Sequence, residues 1–306
     1  MILIVGLIII VIAFAVTATL VIFVIGPVMV LNPRRRGEDF YRERSDPLSP
    51  ADLQLPFEEF WFNSADNQRL NAWFIPAEKN VRGTIFYLHG VGDNKISGLR
   101  LAKMFNARHF NVLLYDSRAH GKSGGRFCTY GYYEKLDVAK AIDALAERKK
   151  VSIGNIGLFG TSMGAAIAVQ AASIEPRIRA VVAEGCFTNL RTITVDYQRR
   201  LLRMPWHFLR NVAMKRSEHI AHFSHHDVSP LRSLANVSVP ILFIHGKGDV
   251  RVKYQYSEQL FAAARDPKEL YLIDGANHSD IHNVAQKEYE ERVAGFFEKS
   301  LKQGGR

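Results

Sequence analysis

Residues 2 to 33 contain no charged side chain, and from Ile2 to Ile25 the chain is Ile, Leu, Val, Phe and Ala interrupted only by Gly6, Thr17 and Thr19. As a helix rising about 1.5 Å per residue, this run is roughly 36 Å long, enough to cross a hydrocarbon core of about 30 Å with modest tilt. It is apolar on every side, which sets it against the helix of a soluble core. A cleavable signal peptide is the rival reading. It asks for Lys or Arg ahead of the run, an apolar stretch of about 7–15 residues and a small-x-small site behind it, and none of these is clear. The reading is a retained transmembrane anchor over residues 1–31, which Gly26-Pro27 ends or kinks. Arg34, Arg35 and Arg36 follow at once. The positive-inside rule then puts the bulk of a single-pass membrane protein on the cytoplasmic face.

The whole-chain figures, 306 residues, a net charge of +10 and a mean hydropathy of -0.07, average this span with a more polar remainder. With 47% hydrophobic residues, 22 Gly, 11 Pro and 2 Cys, collagen-like, disulfide-framework and disordered classes are excluded. Cys128 and Cys186 are compatible with a pair or with two free thiols. The positive charge invites nucleic acid, but no recognition motif accompanies it, so no nucleic-acid partner is expected.

Residues 34–54 are charged and contain two prolines with no hydrophobic period, and 32–54 read as a juxtamembrane linker. Residues 55–303 then alternate apolar strands with helices. Strands are predicted at 57–62, 70–75, 83–90, 111–116, 155–160, 180–185, 239–246 and 269–274. Helices are predicted near 97–107, 131–149, after Gly160, near 254–265 and near 283–302. The first two strands look antiparallel; the later apolar ones, separated by helices, predict an α/β class with a mostly parallel sheet covered on both faces. In such sheets ligands bind beyond the carboxyl ends of the strands, which is where chemistry is sought.

After the strand ending at Phe159 stands Gly160-Thr161-Ser162-Met163-Gly164, a G-x-S-x-G that would thrust a serine hydroxyl out on a tight strand-to-helix turn. The helix start beneath it favours developing negative charge. Serine needs a base, and the base an orienting carboxylate. His245-Gly246-Lys247-Gly248-Asp249 puts an acid after one strand, and Asp274-Gly275-Ala276-Asn277-His278 puts a histidine after the next. The chain order is Ser162, Asp249, His278. Asp274 and Asp280 stand nearer His278 in sequence, but neighbours rarely reach around an imidazole, so Asp249 is preferred. For an oxyanion hole, Met163 N–H supplies one donor, and Val91 N–H in the turn Leu88-His89-Gly90-Val91-Gly92 supplies the second. His89 is read as bracing that turn.

The succession LHGVGDN, YDSRAHGKSGG, GTSMG, IHGKGD and GANHSD resembles the α/β-hydrolase superfamily, in the style of bacterial membrane-anchored serine hydrolases of the monoacylglycerol-lipase and serine-aminopeptidase-like group. The resemblance covers about residues 55 to 303. It implies the α/β-hydrolase fold with a helical cap insertion at about 187–230. It also implies Ser162 as nucleophile, Asp249 as acid, His278 as base, and Val91 with Met163 as oxyanion donors. Ala119 departs from the glycine common at that position of the family. Asp116, Arg118 and His120 are expected to brace the fold.

Two nucleotide-site decoys fail. Gly121-Lys122-Ser123 lacks the P-loop's first glycine, which here is Asp116, and Gly154, Gly157 and Gly160 do not match G-x-G-x-x-G. His219, His222, His225 and His226 form H-x-x-H-x-x-H-H, but no carboxylate base lies between them, and no metal or other cofactor is expected. From Phe187 to Pro230 seven Lys or Arg stand against three Asp or Glu, so the cap either rests on anionic lipid headgroups or is a solvated cap with an apolar underside. The expected activity is hydrolysis of carboxylic, lipid-like esters through an acyl-enzyme. The alternatives are a thioesterase, amidase or aminopeptidase with the same triad, or a catalytically silent binding protein on this fold.

Overall fold

The computed structural model describes residues 1–148, 155–202 and 207–302. The apolar start forms one helical rod of α1 (Ile2–Leu20), a π-helical turn (Val21–Ile25) and α2 (Gly26–Leu31). Where the sequence reading expects Gly26-Pro27 to end or kink the helix, the rod carries this π turn and continues. A proline at 27 lacks the N–H for the regular bond and crowds the carbonyl four residues back, and widening the preceding turn lets the helix run through to Leu31.

After the short α3 (Glu38–Arg42), the α/β unit runs β1 (Glu58–Asn63), β2 (Arg69–Ile75), β3 (Gly83–Leu88), α4 (Leu99–Asn106) and β4 (Phe110–Tyr115). It continues with α5 (Glu134–Glu147), β5 (Ile156–Thr161), α6 (Met163–Ala172), β6 (Ile178–Glu184), α7 (Leu190–Leu202), α8 (His207–Ala221) and α9 (Pro230–Ser233). It closes with β7 (Ile241–Gly246), α10 (Gln255–Ala263), β8 (Lys268–Ile273) and α11 (Ile281–Ser300). The expected strands and helices thus form with boundary shifts of a few residues; residues 149 and 303, at predicted boundaries, lie outside the described residues.

The strands make one eight-stranded sheet in the order β1-β2-β4-β3-β5-β6-β7-β8. β1/β2 and β2/β4 pair antiparallel and every other pair is parallel. Side chains alternate between two cores, as the period of two requires. Phe86 and Leu88 of β3 join the core under α5 and α6, while Ile85 and Tyr87 join the one under α4 and α11.

In register, Leu88 lies opposite Gly160, Gly160 opposite Ala183 and Thr161 opposite Glu184, so the carboxyl ends of β3, β5 and β6 form one edge. β6 and β7 are joined through α7 and α8, the helical cap insertion. Residues 32–54, read as a linker, are docked rather than free. Tyr41 is 3% exposed, and Phe40, Leu48 and Leu53 pack on the α4/α11 core. Their alternation with charged neighbours hid this apolar face from a periodicity reading.

Candidate active site

Ser162 stands between β5 and α6 with φ 51 and ψ -112, a backbone region that an L-residue enters only when its surroundings enforce it. The enforcement is close packing. A Cβ on Gly164 would come within 1.9 Å of Leu88 O, and one on Gly160 within 2.2 Å of Gly164 O, so both flanking positions admit only glycine. Ser162 N–H donates to Glu184 O at 2.7 Å, tying the turn to the end of β6.

His278 and Asp249 arrive from the loops after β8 and β7. His278 Nδ1 lies 2.5 Å from Asp249 Oδ2, so Nδ1–H donates and Nε2 is left as the basic nitrogen. Burial would raise the Asp249 carboxyl. The hydrogen bonds from His245 and His278, the His278 charge and the Val252 N–H outweigh it and hold it well below the usual carboxylate range. Its other oxygen accepts Arg251 N–H at 2.7 Å and Val252 N–H at 2.9 Å. The rival carboxylates are engaged elsewhere: Asp274 with Lys247 at 2.9 Å, and Asp280 with the Asn277 N–H at 2.5 Å.

Ser162 and His278 share the space over Gly185, which has φ 62. A Cβ there would stand 3.1 Å from His278 Cε1 and 4.0 Å from Ser162 N. No Ser162–His278 hydrogen bond is formed among the described residues, an arrangement common before substrate binds.

His245, quoted in the sequence only as part of a motif, turns out to hold the acid. Its Nε2 lies 3.1 Å from Asp249 Oδ2 and 2.9 Å from Val252 O, and its Nδ1 is 2.7 Å from Ser257 Oγ. With two acceptors at Nε2 the proton sits there, and Ser257 donates to Nδ1. The signal was present: a histidine at a strand's end, four residues before the acid. Glu184 also went unassigned. Its carboxyl, raised by desolvation, accepts Tyr289 Oη–H at 2.6 Å.

Gly90 faces the serine directly, a Cβ there falling 3.5 Å from Ser162 Cβ. Val91 N–H has no acceptor among the described residues. Met163 N–H is the first of α6, one of the donors a helix cannot satisfy internally. Both expected donors therefore lie in segments adjoining Ser162.

The loop that carries Val91 is framed from two sides. His120 Nε2 accepts Gly92 N–H at 3.0 Å, and burial with the nearby His89 pulls His120 down to about 3, keeping it a neutral acceptor. From the other side Arg36 N–H donates to Gly92 O at 2.8 Å, Arg36 pairs with Asp93 at 2.7 Å, and Tyr41 Oη–H donates to the same carboxylate. His89 accepts Ser117 N–H at 3.0 Å through Nε2 and donates through Nδ1 to Gly90 O at 2.8 Å. It braces the turn. Asp116 takes Lys95 Nζ at 2.6 Å and Lys122 N–H at 2.8 Å, and Arg118 forks onto Asp137 and Asp66. Ala119, where the family favours glycine, takes φ 61.

Cys128 and Cys186 are both free and buried, and burial pushes their thiols up, away from thiolate chemistry. In the histidine cluster, His225 Nδ1 goes to Glu218 Oε1 at 2.7 Å, and among the described residues no group of three His, Cys, Asp or Glu is disposed to hold a metal ion.

Residues 79–229 match the serine aminopeptidase family, S33. The chain is 29% identical over 294 residues to the uncharacterized protein YqkD of Bacillus subtilis, covering 92% of this chain and 94% of that one. It is 28% identical to the α/β-hydrolase domain-containing protein WAV2 of Arabidopsis thaliana, covering 74% of this chain and 73% of that one. Among solved structures, the Pyrococcus furiosus esterase Pf2001 superimposes with a TM-score of 0.72 at 25% identity, covering 89% of this chain and 98% of that one. With the sheet order, the serine elbow and the strand-end loops, these similarities show that the chain has the α/β-hydrolase fold.

Proposed function

We propose that the chain is a membrane-anchored serine hydrolase that cleaves carboxylic esters, lipid-like ones by preference, by acyl transfer to water. The observation that carries this reading is the 2.5 Å Asp249–His278 pair, set beside Ser162 on its positive-φ turn.

His278 Nε2 takes the Ser162 hydroxyl proton as Oγ attacks the ester carbonyl carbon. The carbonyl oxygen, now negative, is held by the N–H groups of Val91 and Met163. Asp249 keeps Nδ1 protonated and stabilises the imidazolium, and His245 keeps Asp249 in place. His278 then passes its proton to the departing alkoxide, leaving an acyl-serine. Water activated by the same nitrogen releases the acid and restores Ser162. Asp249 does not exchange a proton in this cycle, consistent with a carboxyl held well below the usual range.

The membrane reading is supported by length and by packing. Ile2–Leu31 is one apolar helix of 30 residues. Its last turn belongs to the domain: Leu31 is 1% exposed, its carbonyl accepts Cys128 N–H at 2.9 Å, and Val30 O accepts Tyr130 Oη–H at 2.7 Å. A segment built into the core in this way favours retention over removal. With Arg34–Arg36 behind it, we assign the hydrolase domain to the cytoplasmic face.

The match to serine aminopeptidases raises amide cleavage as a second reading. The solved structure that superimposes at 25% identity is an esterase, so esters are placed first. p-Nitrophenyl esters of increasing chain length and aminoacyl p-nitroanilides, given to wild type and to Ser162→Ala, separate the readings. We expect ester turnover rising beyond acetate and lost in Ser162→Ala; anilide turnover exceeding ester turnover contradicts the assignment.

A further inference from the structure

Between α7 and α8 a hollow of about 350 Å³ opens in the cap, lined by Arg191, Arg210, Lys215, His225 and His226 over Met214. Its carboxylate supply is short. Glu218 pairs with Lys215 at 3.2 Å and accepts His225 Nδ1–H at 2.7 Å. Arg191 and Arg210 have no carboxylate partner among the described residues. Arg210 instead donates to Asn211 Oδ1 at 2.7 Å, and its guanidinium lies 3.4 Å from His207 Nδ1. Burial, with the charges of Arg191 and Arg199, holds Arg210 below its ordinary value, the mark of cations gathered without a counterion. Two planar guanidinium forks around one cavity suit a tetrahedral dianion or monoanion with several acceptor oxygens.

The position of the hollow narrows the ligand. α8 lies along the anchor, so close that a Cβ on Gly26 would fall 3.0 Å from Ala213 Cβ. Arg210 and Met214 lie one turn before and one residue after Ala213 on the same helix. The cavity is thus held beside the turns where the apolar rod gives way to Arg34–Arg36, the depth at which lipid phosphates lie. Phe208 on α8 is 70% exposed and Met29 on the anchor 67% exposed, apolar groups turned outward on the elements that frame that level.

We propose that this hollow binds the phosphate headgroup of an anionic membrane lipid and so seats the cap on the bilayer surface. The inference rests on reading residues 2–31 as a membrane anchor and is independent of the ester chemistry.

The test uses the full chain carrying Ser162→Ala, so that no lipid is consumed, in neutral detergent micelles. Dioctanoyl phosphatidic acid, dioctanoylglycerol and inorganic phosphate are titrated by calorimetry into this protein and into R191Q/R210Q. The phosphatidic acid is expected to bind saturably, and its affinity to fall by about thirtyfold in R191Q/R210Q, as expected for two cations near a headgroup. The charge-retaining R191K/R210K is expected to recover most of that loss, which separates lost charge from lost folding. Equal phosphatidic acid affinity in wild-type and R191Q/R210Q hollows, or equal affinity for dioctanoylglycerol, overturns the proposal. Inorganic phosphate binding as tightly as phosphatidic acid overturns the lipid assignment. Alkaline carbonate extraction of the same proteins reads the anchor separately, so a failed membrane reading and a failed headgroup site give different results.

Discussion

At position 185 one methyl group is enough to disturb the pairing of serine and histidine. Gly185 has φ 62, where an L-residue costs about 1–2 kcal/mol, and its Cβ would press on His278 Cε1 at 3.1 Å. Gly185→Ala is expected to melt within a few degrees of wild type yet to lose about 10²-fold in turnover, the scale at which a misplacement of about 1 Å acts. Wild-type turnover in this variant would remove His278 from the site. Asp249 gives a second test. Its folded-state value is depressed, so its contribution to stability is complete above about pH 4, where the unfolded carboxyl is already ionised. The contribution fades as pH falls below that toward the folded value. The melting-temperature gap between wild type and Asp249→Asn should narrow as pH drops below about 4; a gap constant from neutral to acid pH contradicts the geometry that holds the carboxylate.

Among the elements, the segment after the anchor matters more to the site than its charge pattern suggests. Gly92 has φ 74, and a Cβ there would lie 2.4 Å from Arg34 O, while Arg36 pairs with Asp93 two residues beyond Val91. Arg36→Ala should lower kcat/KM about tenfold through a loosened oxyanion loop while leaving His278 and Asp249 in contact. Unchanged kinetics would detach this segment from catalysis. Leu31→Ala should cost about 2–5 kcal/mol in unfolding free energy, since the side chain is fully buried.

The sequence displayed the sheet and the three strand-end loops because those signals are local: apolar runs bounded by Gly-rich turns. The framing of Val91 by Arg36 and Tyr41 was invisible, because its partners are 52 and 57 residues apart and the stretch is rich in charge. The continuous helix through Pro27 was hidden for a related reason. A proline reads as a break until the π turn that accommodates it is seen. His245 lay in plain view, yet only the fold shows that its ring reaches the acid.

Across the whole molecule, the apolar N-terminal helix, α8 and the loop that carries Val91 are tied together. α2 and the preceding π turn pack on α8, Leu31 bonds to Cys128, and Arg36 reaches Asp93. A net charge of +10 is spread so that Arg34–Arg36 follow the span and Arg191, Arg210 and Lys215 gather in the cap. On the proposed membrane reading, that distribution is an address at the bilayer surface. A C-terminal alkaline phosphatase fusion should be inactive if the domain lies in the cytoplasm, and an active fusion reverses the topology.

Labelling of the full chain with a fluorophosphonate probe decides whether Ser162 is an activated nucleophile. Wild type is expected to label stoichiometrically and Ser162→Ala not at all. An unlabelled wild type, or a Ser162→Ala variant labelled to the same extent, would contradict it.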